Sequence, residues 1–184
     1  MTETPDIMPE YWEDAAALMA LRIDNARERG LQHPNTKQGY MGLLKAMRDE
    51  YDGFLERVWD LDDDEWDGLL MANWFTAYAT LALDLSDQHP EIYLDEAIDT
   101  LELMIGKQHD YGHNNISRFG MRGILVRLHD KLSRLENLGM REYEMDTQAI
   151  NESTEDSVYD IVGYCIIACM FSLDLWLLPL SIDC

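Results

Sequence analysis

Between residues 151 and 170 the sequence reads NESTEDSVYDIVGYCIIACM, four carboxylates opening into an apolar segment. On a helix, positions 152, 156, 160 and 164 form one slowly drifting stripe, so Glu152, Asp156, Asp160 and Tyr164 face roughly the same way. Carboxylates at one-turn spacing supply the oxygen donors that Mg²⁺ takes, with water and substrate phosphates completing its octahedron. The first acids also have a simpler use. Negative charge suits a helix N-terminus, and STED at 153–156 resembles a capping box with Asp in place of Glu. Asp160 has no such use: it lies two turns in, among Val158, Ile161, Val162 and Cys165. An unpaired carboxylate there costs several kcal/mol or takes up a proton. It needs a cation, and spacing alone admits both a divalent metal and a Lys or Arg from the neighbouring helix.

The preceding segment, GILVRLHDKLSRLENL at 123–138, is amphipathic, with Ile124, Leu125, Leu128, Leu132, Leu135 and Leu138 on one side. The other side carries Arg127, Asp130, Lys131, Arg134 and Asn137. Alone, this stripe reads as a solvated face with local ion pairs. Beside an acidic helix it also suits phosphate binding while the acids hold metal. The charge distribution adds to this. Net charge is −22, which argues against direct binding of a nucleic-acid backbone. Residues 107–141 nevertheless carry seven basic residues against three acids, a local +4, whereas 142–184 hold nine acids and no base.

Apolar residues recur at three and four spacing almost throughout, which predicts an all-α helical bundle of about six helices. Pro, Gly and Asn/Ser/Asp signals place them near 9–29, 37–59, 64–88, 91–107, 121–138 and 152–177. LDDDE at 61–65 reads as the start of the third. The stretch KQHDYGHNNISRFG, 107–120, reads as an ordered functional loop bounded by Gly112 and Gly120. Residues 1–90 form an N-terminal helical part and 91–177 a second, together one compact unit with a tail at 178–184; a weak echo between 41–84 and 121–174 hints at a degenerate repeat. Cys165, Cys169 and Cys184 make no disulfide framework and suit a reduced protein. With no secretory or membrane-spanning pattern, the expectation is a cytoplasmic protein, and its five Trp and many Met favour a homodimer or higher homo-oligomer.

Three ordered motifs carry a resemblance. Lys107, Asp110, Tyr111 and Gly112 match K-x-x-D-Y-G; Arg127, Asp130, Lys131, Arg134 and Asn137 match R-x-x-D-K-x-x-R-L-x-N-L; Glu152, Ser153, Asp156, Asp160 and Tyr164 match E-S-x-x-D-x-x-x-D-x-x-x-Y. Over residues 96–172 the sequence resembles the bacteriophage nucleotide-modification-associated domains allied to the all-α, MazG-like nucleoside triphosphate pyrophosphohydrolases. The resemblance implies a MazG-like four-helix core that binds Mg²⁺ and a canonical or modified nucleoside triphosphate and releases monophosphate and pyrophosphate, in the host cytoplasm if the chain is phage-encoded. In that scheme Glu152, Asp156 and Asp160 are catalytic and hold metal, joined by Glu155 and Asp130. Lys107, Arg127, Lys131 and Arg134 meet phosphate, and Asp110, Tyr111, Asn137 and Tyr164 contact the rest of the nucleotide. One departure from the MazG pattern stands out: helix 121–138 has Asp130 among bases where those enzymes carry an acidic motif. Further acids would come from Asp49, Glu50, Asp52 and Glu56, or from Glu96, Asp99 and Glu102. Two other readings remain, a non-catalytic nucleotide-binding partner in a DNA-modification or counter-defence system and an acidic DNA mimic. The local positive charge counts against the mimic.

Overall fold

A computed structural model describes residues 8–30, 39–60, 93–144 and 154–181. Within them the chain is helical, without strands, in the order α1 (Trp12–Gly30), α2 (Gly39–Asp60), α3 (Tyr93–Tyr111), α4 (Asn114–Ser117), α5 (Gly120–Glu144) and α6 (Thr154–Ser172). The helix expected over 64–88 lies outside the described residues, as do Glu152 and the side chains of Glu155, Glu96 and Asp99.

The apolar patterns decide which helix goes inside. α5 has a single apolar stripe, from Ile124 through Leu128 and Leu132 to Leu135, all fully buried. α6 is apolar nearly all round, the signature of a helix enclosed by others, and it packs against α5, α1 and α3. α2 lies on α5, where Arg48 donates to both carboxylate oxygens of Glu136 at 2.9 and 2.7 Å and to Ser133 Oγ at 3.0 Å. Tyr51 closes the same seam by donating to the Leu125 carbonyl. One buried cluster includes Trp12, Met19, Leu44 and Met47 of the first two helices together with the stripes of α5 and α6. None of the described helices is long and apolar enough to cross a membrane.

Helix ends differ from their sequence-based expectations: α5 runs on to Glu144, and two other ends move for local reasons. α3 continues to Tyr111 and stops where Gly112 adopts φ +63° and its N–H bonds the Gln108 carbonyl at 2.8 Å. This left-handed terminus favours glycine. The 107–120 stretch is thus mostly helical, with short α4 held between Gly112 and Gly120. α6 ends at Ser172 instead of near 177. Asp174 takes φ 56°, its N–H bonds the Phe171 carbonyl and the Leu175 N–H bonds the Met170 carbonyl, a Schellman terminus with Asp in the usual glycine place. The tail is docked through Ser181. Trp12 N–H bonds the Pro179 carbonyl, and Ser181 donates to Glu13 through both its N–H and its hydroxyl.

Candidate functional site

Asp160 meets lysines. Lys131 Nζ on α5 lies 2.6 Å from Asp160 Oδ2, and Lys107 Nζ on α3 lies 3.6 Å from Oδ1. Lys131 and Asp160 are about one-fifth exposed and Lys107 about half. The helices that bring them together run antiparallel to α6. Met104 sits against Gly163, where an added Cβ would come within 3.3 Å of Met104 Sδ. One turn further along α3 and one turn back along α6, Lys107 faces Asp160. Gly163 therefore permits the close approach of α3 that places Lys107. Of the Lys or Arg partners that the sequence admitted from the neighbouring helix, Lys131 is the one that pairs with Asp160, and Lys107 joins it from α3. Helix periodicity alone could not choose, because residues 127, 131 and 134 lie along one face of α5.

Beside this pair lies a cleft of about 540 Å³, a size typical of small-molecule sites. Its described walls come from α1, α3, α4, α5, α6 and the tail, with Lys107, Arg127 and Tyr164 at one side and Tyr111, Phe119 and Trp176 among its aromatic residues. Acids make up about one residue in five of this chain, 36 of 184, yet none stands in that described lining while Lys107 and Arg127 do. A cleft lined by one sign of charge concentrates the opposite charge. Burial, reinforced by the Asp160 charge, pushes the Tyr164 phenol up from its ordinary value, against the opposing pull of Arg127 and Lys131. It therefore remains a neutral hydroxyl at the cleft wall. Tyr111 and Phe119 are two-thirds exposed, which leaves their rings open to stacking.

Of the residues singled out from sequence, Lys107, Tyr111, Arg127 and Tyr164 line the cleft, and Lys131 stands behind it with Asp160. Asp110, Asp130, Asn137 and Asp156 are exposed and do not line it. Arg134 is partly buried on α5 and also stands apart from the lining. Glu50 is half-buried, Asp52, Glu56 and Glu102 are exposed, and Asp49 pairs with Lys45 at 2.8 Å. Sequence reasoning missed Gln108, Asn115, Phe119 and the two tryptophans Trp12 and Trp176. Gln108 had a signal, since it follows Met104 by one turn. Trp12 had none, being almost a hundred residues away from its cleft neighbours on α3.

The described donor set does not by itself fit a resident Mg²⁺. No three of the described His, Cys, Asp and Glu side chains come together as a metal site, and both Asp160 oxygens face ammonium groups. What the arrangement can do is bind anions. Two cationic side chains on different helices, Lys107 and Arg127, line a cleft with aromatic surface alongside, and Asp160 pairs Lys107 with Lys131 behind it. Comparison with protein-family models, with curated proteins and with solved structures returned no match.

Proposed function

We propose that the cleft binds a nucleoside triphosphate, with phosphate against Lys107 and Arg127 and the base against Tyr111 and Phe119, and that the protein hydrolyses it to the monophosphate and pyrophosphate. The observation that carries this reading is an acid-free described lining holding Lys107 and Arg127 beside open aromatic rings, in a chain of net charge −22. Arg127 offers a planar fork of donors suited to phosphate oxygens, and Lys107 a compact point charge. Lys131 adds positive potential from behind, and Asp160 positions both lysines. The motif resemblance over 96–172 supports the triphosphate and the pyrophosphate-releasing reaction. Mg²⁺ belongs to this reading as part of the metal–nucleotide substrate, with Asp156 and the acids at 152 and 155 the nearest carboxylates in sequence.

A second reading, binding without cleavage, is favoured by the pairing of both Asp160 oxygens with lysine. One experiment separates the two. Standard and modified deoxynucleoside triphosphates are incubated with the protein and Mg²⁺, pyrophosphate is measured, and binding is followed in parallel by thermal shift, since a ligand that binds only the folded state raises its melting temperature. Pyrophosphate release supports the hydrolase. A thermal shift without release supports the binding protein, and the absence of both refutes each.

A further inference from the structure

The cleft does not end at Phe119. Adjoining it lies a trough of about 740 Å³ whose described lining includes Arg118, Arg122, Arg127, Phe171 and Val126 and again no acid. Phe119, Gly123 and Arg127 line both spaces. Phe119 closes over Gly123, its Cβ 2.8 Å from where a Gly123 Cβ would stand, so the two spaces meet along the Arg127 side chain that lines both. Arg118 holds its guanidinium over the Phe119 ring, 5.9 Å from the centroid, and its side chain has no carboxylate partner among the described residues. Arg122 and Arg127 are five residues apart on one helix, about 7–8 Å along its axis, a length that a polyphosphate chain spans and a single phosphate does not.

Resting on the nucleotide-binding reading above, we infer that the phosphate chain runs along Arg127 from the cleft into this trough, where Arg118 and Arg122 hold its terminal phosphates. The first phosphate meets Lys107 and Arg127, and Arg127 bridges the two spaces. Arg118 and Arg122 then select a triphosphate over a monophosphate of the same nucleoside, because only the longer chain reaches them. Guanidinium forks pair with phosphate oxygens in charge-assisted, bidentate fashion.

The test uses the full chain with Arg118→Gln, Arg122→Gln and the double variant, all at exposed positions. Dissociation constants are measured by calorimetry for one deoxynucleoside as its tri- and monophosphate, and for inorganic tripolyphosphate. In the wild type the triphosphate binds at least about tenfold more tightly than the monophosphate. The double variant loses that preference, with tripolyphosphate weakened in step, and each single variant loses part of it. A ratio unchanged in the double variant, or tri- and monophosphate weakened by the same factor, overturns the inference while leaving nucleotide binding in place. A wild-type protein that binds none of the three overturns both.

Discussion

Replacing Asp160 with Asn preserves the side chain's shape and removes the charge that Lys131 and Lys107 face. The structure sets the size of the effect. Exposed ion pairs contribute about 0.2–1 kcal/mol, and breaking a buried one costs about 3–5 kcal/mol. With partners about one-fifth exposed and 2.6 Å apart, the Lys131 contact falls between these, near 2 kcal/mol. Lys107, half-exposed and at 3.6 Å, adds less than about 0.5 kcal/mol. For a chain of this size about 2–2.5 kcal/mol lowers the melting temperature by about 4–10 °C. The assay is thermal unfolding followed by circular dichroism, in a cycle with Lys131→Met and the double variant. Contact at 2.6 Å predicts a coupling of at least about 1 kcal/mol, whereas independent sites add within about 0.3–0.5 kcal/mol. Additive losses would refute the pairing. So would a rise in melting temperature on Asp160→Asn, which is what relief of repulsion within an acid cluster awaiting metal would give.

Other predictions concern the frame around the cleft. Burial works against ionisation of Glu13, but hydrogen bonds from its own backbone, from Ser181 and from His109 hold its carboxyl below the ordinary value of 4.5. Its folded value being lowered, this stabilisation is complete above pH 4.5 and is lost as pH falls through the lowered value; Glu13→Gln should therefore be less stable than wild type at pH 7, with the gap closing on acidification, and a gap independent of pH contradicts the clamp. Asp174→Gly removes the left-handed strain at φ 56° and should stabilise by up to about 1 kcal/mol in denaturant unfolding, whereas a loss would mean that the Asp174 side chain has a role of its own. Gln108 Nε2 is buried at the cleft wall without a hydrogen-bond partner; Gln108→Met should raise stability by about 1 kcal/mol by removing that unsatisfied donor, and a fall of that size would show that the amide is satisfied.

How far the sequence discloses this site is best seen at single residues. That Asp160 needs a cation follows from its neighbours in the chain, since burial of a charge is costly whatever the fold. Which cation it meets does not, because Lys107 and Lys131 arrive from two helices whose approach depends on Gly163 and on packing no periodicity encodes. The all-helical character is written in the spacing of apolar residues, and α6 declares its burial by being apolar all round. Its end is hidden: the apolar run continues past Asp174 to Leu178, and only the left-handed backbone at Asp174 stops the helix and turns Leu175 and Trp176 inward. The 107–120 stretch looks like a loop because Gly, Asn and Ser dominate it, yet the two glycines serve as stops for helices that fill the space between them. Trp12 joins the cleft through tertiary contact alone.

The claim that this acidic chain keeps a cationic cleft for a nucleotide's phosphates is tested most directly by calorimetric titration of a deoxynucleoside triphosphate, with Mg²⁺, into the wild type and into Lys107→Ala/Arg127→Ala. Both substituted side chains line the cleft without belonging to the buried core, so the variant should fold. The account predicts saturable binding to the wild type and an affinity at least about a hundredfold weaker in the variant, since each charged hydrogen-bonding group contributes about 1.5–3 kcal/mol. Equal affinities, or no binding to the wild type, would contradict it.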